Sequence, residues 1–205
     1  MTESRSFKLP GNRPHFLSRL LETIETDIVP LTTRGVAAGN KVFGAALLRK
    51  SDLSLVLADT NNEIANPLWH GEIQCLKSFY ELEERPGSDE LIFLSTHEPC
   101  SLCLSAITWA GFDNFFYFFS HENSRDSFAI PHDLRILGEV FRLEDGRYNR
   151  RNAYWTCWSI RDEIDRLGDS ERRPLIKRAA RIDGLYEALS KVYQESKGDS
   201  AIPLR

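Results

Sequence analysis

The chain lacks the features that mark secreted, membrane-bound or polyanion-binding proteins. Its four cysteines are too few and too unevenly spaced for a disulfide framework. No segment comes near the ~20 apolar residues of a membrane span, and the most apolar run, Phe115 to Phe119, has the length of a strand. Residues Met1 to Pro14 are polar and carry no signal-peptide core. The expected setting is a reducing cytoplasm, with no membrane partner. A basic excess is missing too: net charge is -4 and the sequence pI about 5.8. No global field draws in nucleic acid, so a nucleic-acid partner is not expected. There is no internal repeat and no low-complexity tract. The 41% hydrophobic and 27% charged residues are those of an ordinary globular protein, and 205 residues fit one domain.

Against this plain background one pattern stands out. His70-Gly71-Glu72 is followed at a distance by Pro99-Cys100-Ser101-Leu102-Cys103. A histidine and two cysteines two residues apart supply three ligands for tetrahedral zinc, one ion per chain, with the fourth position left for water. Three protein ligands and an open position define a catalytic site and not a closed structural one. Glu72, two residues from His70, is not a ligand but stands close enough to move a proton on that water. A redox pair of cysteines would leave His70 and Glu72 without a role. A structural zinc would need a fourth ligand, for which His97 is the nearest candidate.

Apolar periodicity places the motif on secondary structure. Residues 1–12 read as a loose tail. A helix is predicted from Arg13 to Val29, stopped by Pro30, then strands at Val42–Leu48 and Leu53–Ala58 around a turn at Lys50–Asp52. An asparagine-rich loop, Thr60–Pro67, leads to a helix from Trp69 to about Glu84. A strand at Leu91–Ser95, a helix at Cys100–Ala110 and a strand at Asn114–Phe119 follow. Further helices are predicted at Pro131–Phe141 and Leu175–Tyr193, while Ala153–Ile160 must pack against something. The expectation is an α/β fold: a three-layer α/β/α sandwich with a central mixed sheet of about five strands. Its core covers about residues 13–120, and a helical C-terminal extension covers about 121–205, within a single domain. Strand–helix alternation of this kind puts both motif helices at one edge of the sheet, where such sheets bind ligands.

With these residues in view, Phe43 to Phe119 resembles the cytidine deaminase superfamily, in the branch of guanine deaminases, fungal-type cytosine deaminases and tRNA adenosine deaminases. The His-x-Glu and Pro-Cys-x-x-Cys halves are the signature of that zinc chemistry. The resemblance implies hydrolytic removal of an exocyclic amine from a free nucleobase or nucleoside, with release of ammonia. Glu72 would be the catalytic proton carrier, and His70, Cys100 and Cys103 the zinc ligands. It implies a base-binding amide at Asn61, with Phe43 and the backbone around Ala45 on the strand beside the substrate. Trp109 and Phe112 are candidate pocket residues, Trp155 and Trp158 a candidate lid. The region after Phe119, which in guanine deaminases gives the base a carboxylate, offers Asp126, or Asp133. Glycine at position 71 is the form of the fungal-type cytosine enzymes, whereas Glu98-Pro99-Cys100 is the form of the purine and tRNA enzymes. A guanine-like purine is favoured slightly over cytosine.

Two other readings compete. Arg172, Arg173, Lys177, Arg178 and Arg181 form a basic run that would serve a nucleic-acid deaminase. A zinc-stabilised interaction module would leave the open ligand position unused. The resemblance also implies a homodimer.

Overall fold

The computed structural model describes residues 7–200 and 202–204. Its centre is a five-stranded mixed sheet in the order β2-β1-β3-β4-β5, formed by β1 (Gly44–Arg49), β2 (Leu55–Thr60), β3 (Leu91–His97), β4 (Asn114–Phe119) and β5 (Thr156–Ser159). β1 runs antiparallel to both β2 and β3, whereas β3, β4 and β5 are mutually parallel neighbours. β3 and β4 are buried along their whole length. Their near-continuous apolar sequences follow from having helices on both faces.

On one face lie α1 (Arg13–Thr23), a π turn (Ile24–Ile28), α2 (Val29–Ala37), α7 (Ile160–Asp165) and the long α8 (Asp169–Ser196). Phe16, Leu20, Ile24, Ile182, Tyr186 and Tyr193 fill the interior there. On the other face lie α3 (Gly71–Tyr80) and α4 (Ser101–Trp109), packed through Cys75, Phe79, Ile107 and Phe112 against β1, β3 and β4. Two short helices, α5 (His121–Asp126) and α6 (His132–Glu139), follow β4.

Three expectations change. Pro30 does not stop the first helix: it falls in the first turn of α2, where a missing N–H costs nothing, and the π turn carries the chain from α1 into α2. The loose-tail reading fails where the chain is described. Residues 1–6 lie outside them, and Phe7 docks edge-on against Phe116 and Trp158 with ring centroids 5.9 and 5.7 Å apart. The segment Ala153–Ile160 supplies the fifth strand. Trp158 stacks on Phe116, and Trp155 packs on Phe115 while its Nε1 donates to Thr108 Oγ1 at 2.8 Å. Both tryptophans therefore hold the sheet and form no lid.

Candidate metal and substrate site

The first residues of α3 and α4 meet beyond the ends of β1 and β3. His70 and Cys100 are the N-caps of these helices, Glu72 and Cys103 lie in their first turns, and helix N-termini favour negative charge such as a thiolate. Cys100 Sγ is 3.6 Å from Cys103 Sγ, and His70 Nδ1 is 3.4 and 3.7 Å from the two sulfurs. A tetrahedral zinc with usual bond lengths has S–S edges of about 3.8 Å and S–N edges of about 3.6 Å. The donor set therefore fits zinc as it stands. Among the described residues it is also the one group of three potential ligands gathered closely enough to hold a metal.

The electrostatics separate the three donors. The hydrogen bond between Cys100 and Cys103, and then the contact with His70, hold the Cys100 thiol well below its ordinary value despite burial. Burial pushes Cys103 up. His70 rises to about 9: burial opposes its charge, but the hydrogen bond and charge of Cys100, with Glu63 and Glu72, outweigh that. Glu72 is 4% exposed, and burial, then the charge of Cys100, raises its carboxyl above the usual range. Its Oε1 lies 2.8 Å from Ser95 Oγ, which is also 2.6 Å from the His97 carbonyl oxygen. One serine proton cannot serve both acceptors, so a proton on Glu72 completes the network.

Gly71 explains the glycine of the motif. A Cβ there would lie 2.8 Å from the Gly44 Cα and N and 2.9 Å from the Phe43 carbonyl carbon. The start of α3 touches the backbone before β1, and two facing glycines permit that approach. The residue reports helix–strand packing and says nothing about purine or pyrimidine.

His70, Glu72, Cys100 and Cys103 share a cavity of about 10 Å³ with Phe43, His97, Glu98 and Asp133. That is room for about one water. Asn61 is buried just after β2, with its N–H on the Phe43 carbonyl and its side-chain NH2 on Glu63. It stands beside this wall and does not line the cavity. Ala45 is buried in the core between β1 and α3 and lines nothing; the neighbouring Phe43 does.

Two candidates are displaced. Trp109 is 90% exposed at the far end of α4, beside Thr108 and Tyr154, because a nine-residue helix carries it well away from the cysteines. Asp126 is exposed and paired with its neighbour Arg125 through a 2.6 Å contact. Asp133, on α6, is the carboxylate that reaches the cavity. Burial, then the charge of Cys100, raises it to about 8.

Sequence reasoning missed several supports. Glu63 is almost fully buried, takes Lys41 Nζ at 2.9 Å and the Asn61 amide, and lies 3.7 Å from His70 Nε2. It faces the ring nitrogen that is turned away from the sulfurs. Glu98 accepts from Tyr148 Oη at 2.8 Å, Arg150 Nη2 at 3.0 Å and the His121 N–H at 3.1 Å. It thereby ties the later loops to the cysteine helix. A carboxylate two residues after an asparagine is too common a pattern to single out beforehand.

Comparison with known proteins decides the family. Residues 22–119 match the model of the cytidine and deoxycytidylate deaminase zinc-binding region. Those residues belong to the cytidine deaminase superfamily. The guanine deaminase of Bacillus subtilis (strain 168) is 27% identical over 110 residues, covering 52% of this chain and 69% of that protein. Among solved structures, guanine deaminase from Nitrosomonas europaea superposes with a TM-score of 0.46 at 16% identity, over 89% of each chain. Guanine deaminase from B. subtilis gives 0.43 at 23% identity, over 69% of this chain and 99% of that one. The chain is a zinc-dependent hydrolytic deaminase, with the family's metal region spanning α3, α4 and the strands between and beside them.

Proposed function

We propose that the protein removes the exocyclic amine of a free purine base, guanine above others, releasing ammonia, with His70, Cys100 and Cys103 as zinc ligands and Glu72 as the catalytic residue. The observation that carries the purine reading is Asp133. A half-buried carboxyl on the cavity wall supplies an acceptor for a ring N–H of the base, and guanine offers two such donors, one on each ring, where cytosine offers one. The sequence relative named as a guanine deaminase supports the same choice, and the packing role of Gly71 removes the one residue that spoke for cytosine.

The chemistry at the site follows from its side chains. Zinc, when bound, supplies the Lewis acidity that activates water near neutral pH. Glu72 takes a proton from the attacking water, delivers it to a ring nitrogen, and passes the second proton to the departing amine. Water and aminopurine thus become oxopurine and ammonia. Ser95 holds Glu72 in place at Oε1. Phe43 gives the base an apolar wall, and Asn61, braced by Glu63, stands next to it.

Small-molecule use is supported by the fate of the basic run. Arg181 binds Glu25 at 2.5 Å, Arg178 meets the same carboxylate at 3.3 Å, and Arg172 pairs with Asp169 at 2.9 Å. Arg178 and Arg181 fasten α8 to the first helical rod, and Arg172 is paired within α8. A homodimer is supported by the outer face of α4, where Leu102, Trp109 and nearby Tyr154 are exposed. A cytoplasmic setting is supported by four free cysteines, and no helix among the described residues is long and apolar enough to cross a membrane. The interior that α8 shares with α1 and the sheet supports one folding unit.

The test is a panel of amino-purines and amino-pyrimidines, as bases and nucleosides, offered to the zinc-loaded protein while ammonia is followed. Guanine should give the highest kcat/KM. Preference for cytosine, or for a nucleoside, would overturn the substrate.

A further inference from the structure

His97 lies on the cavity wall opposite no metal ligand of its own, and its surroundings are unusual for a buried histidine. The ring is 2% exposed. Phe43, Phe119, Phe128 and Tyr186 surround it, with centroids 4.7, 4.8, 5.1 and 5.4 Å from its own. Beyond these four rings it lines the same small cavity as His70, Glu72, Cys100 and Asp133. Packing alone gives no reason for an imidazole here, since a phenyl ring would fill the cage without burying two nitrogens.

The hydrogen bonds around Thr96 assign the tautomer. Thr96 Oγ1 accepts from the Gly44 N–H at 3.0 Å and donates its proton to the Gly44 carbonyl at 3.1 Å. His97 Nδ1 sits 3.0 Å from the same oxygen. With the hydroxyl proton given to a carbonyl, Nδ1 must be the donor. Nε2 is then a bare acceptor, and it is buried with no hydrogen-bond partner among the described residues. A buried acceptor without a partner is costly unless a ligand completes it.

We infer that His97 is a specificity-determining residue whose Nε2 accepts a hydrogen bond from a ring N–H of the substrate, which makes the site selective for free nucleobases over those substituted at that nitrogen. The inference rests on the purine-base reading above and deepens it. A nucleoside carries its sugar on a ring nitrogen and removes one such donor. The aromatic cage holds the ring so that the acceptor cannot turn away to another partner. Thr96 fixes the proton on the far nitrogen, so the contact is one-directional: it takes an N–H and refuses a lone pair.

The experiment compares zinc-loaded wild type with His97→Phe and His97→Gln. Calorimetric binding and ammonia release are measured for guanine and for guanine methylated at each ring N–H in turn. Wild type should bind one methylated form at least about tenfold more weakly than guanine, the size of one lost buried hydrogen bond. His97→Phe should bind guanine about tenfold more weakly, and its discrimination at that nitrogen should collapse towards one, with kcat much less affected than KM and zinc content unchanged. His97→Gln, which can present an amide oxygen, should recover part of the discrimination. Equal discrimination in wild type and His97→Phe overturns the contact, and so does loss of zinc from His97→Phe. Binding of guanine with the expected ratios but without ammonia release would overturn the purine-deaminase reading and support the contact. Failure of wild type to bind any free base would overturn both.

Discussion

The metal-holding side of the cavity and its substrate-facing side are built on different scales. His70, Glu72, Cys100 and Cys103 come from the opening residues of two helices, and short spacing within each helix places them. Phe43, His97, Glu98 and Asp133 come from a strand approach, a strand end, a loop and a distant short helix. The first set needs two helices to meet at a sheet edge. The second needs the whole sheet and the segment after it. Zinc geometry tolerates little variation, and its candidate ligands are placed by short local spacings, whereas the facing wall is spread over contacts that only the folded chain assembles.

The comparison is sharpened most by removing a ligand. Cys100→Ala should abolish both zinc content and ammonia release, with atomic absorption and an ammonia assay run on one preparation. A protein that keeps one zinc per chain would break the assignment of the three ligands. Next is the support behind the metal. Glu63→Gln keeps the shape but removes the charge facing His70 Nε2 and leaves Lys41 buried without its partner. Zinc affinity, read by chelator competition, should fall about 10- to 100-fold. Unchanged affinity would confine Glu63 to the Lys41 and Asn61 contacts.

Gly71→Ala addresses packing against substrate choice. The added methyl meets the Gly44 backbone, and stability in urea should drop by about 1–3 kcal/mol, with the order of preference among bases unchanged. A switch in preference without loss of stability would contradict the packing account. A further effect is in pH. Burial, and then the nearby His121, hold His97 down to about 3, against an ordinary 6.5. As pH falls below 6.5 the unfolded chain takes up this proton and the folded chain does not, so stability is full above that value. It should decline between about 6.5 and 3 at about 1.4 kcal/mol per pH unit. His97→Phe should lack this one-proton component when denaturation curves of the two proteins are compared from pH 7 to 5. Identical slopes would show that His97 becomes charged in place.

Much of this was legible in the amino-acid order. The alternation of strands and helices and the apolar runs of β3 and β4 led to the mixed sheet, and the split motif led to the cluster of His70, Cys100 and Cys103 with Glu72 beside it. What escaped depends on distance in sequence. Trp109 lies close to the motif along the chain but faces outwards, since a helix turns its end residues away from its start, and Asp126 finds a partner in Arg125. Asp133, offered by the sequence beside Asp126, is the one that reaches the cavity, although 30 residues separate it from Cys103 in the numbering of the chain. Nothing in its neighbours marks that destination. Pro30 misled because a proline in the first turn of a new helical segment has the same sequence as a proline that ends one. His97 was visible only as a spare ligand, and its cage of four aromatic rings is drawn from residues 43 to 186.

The central claim is that a three-ligand zinc works with Glu72 as its proton carrier. The most direct measurement is zinc content and ammonia release from guanine on the same preparation of Glu72→Gln. The account expects one zinc per chain and a rate lowered by about 10²–10⁴ or more; near-normal release of ammonia with zinc in place would contradict it.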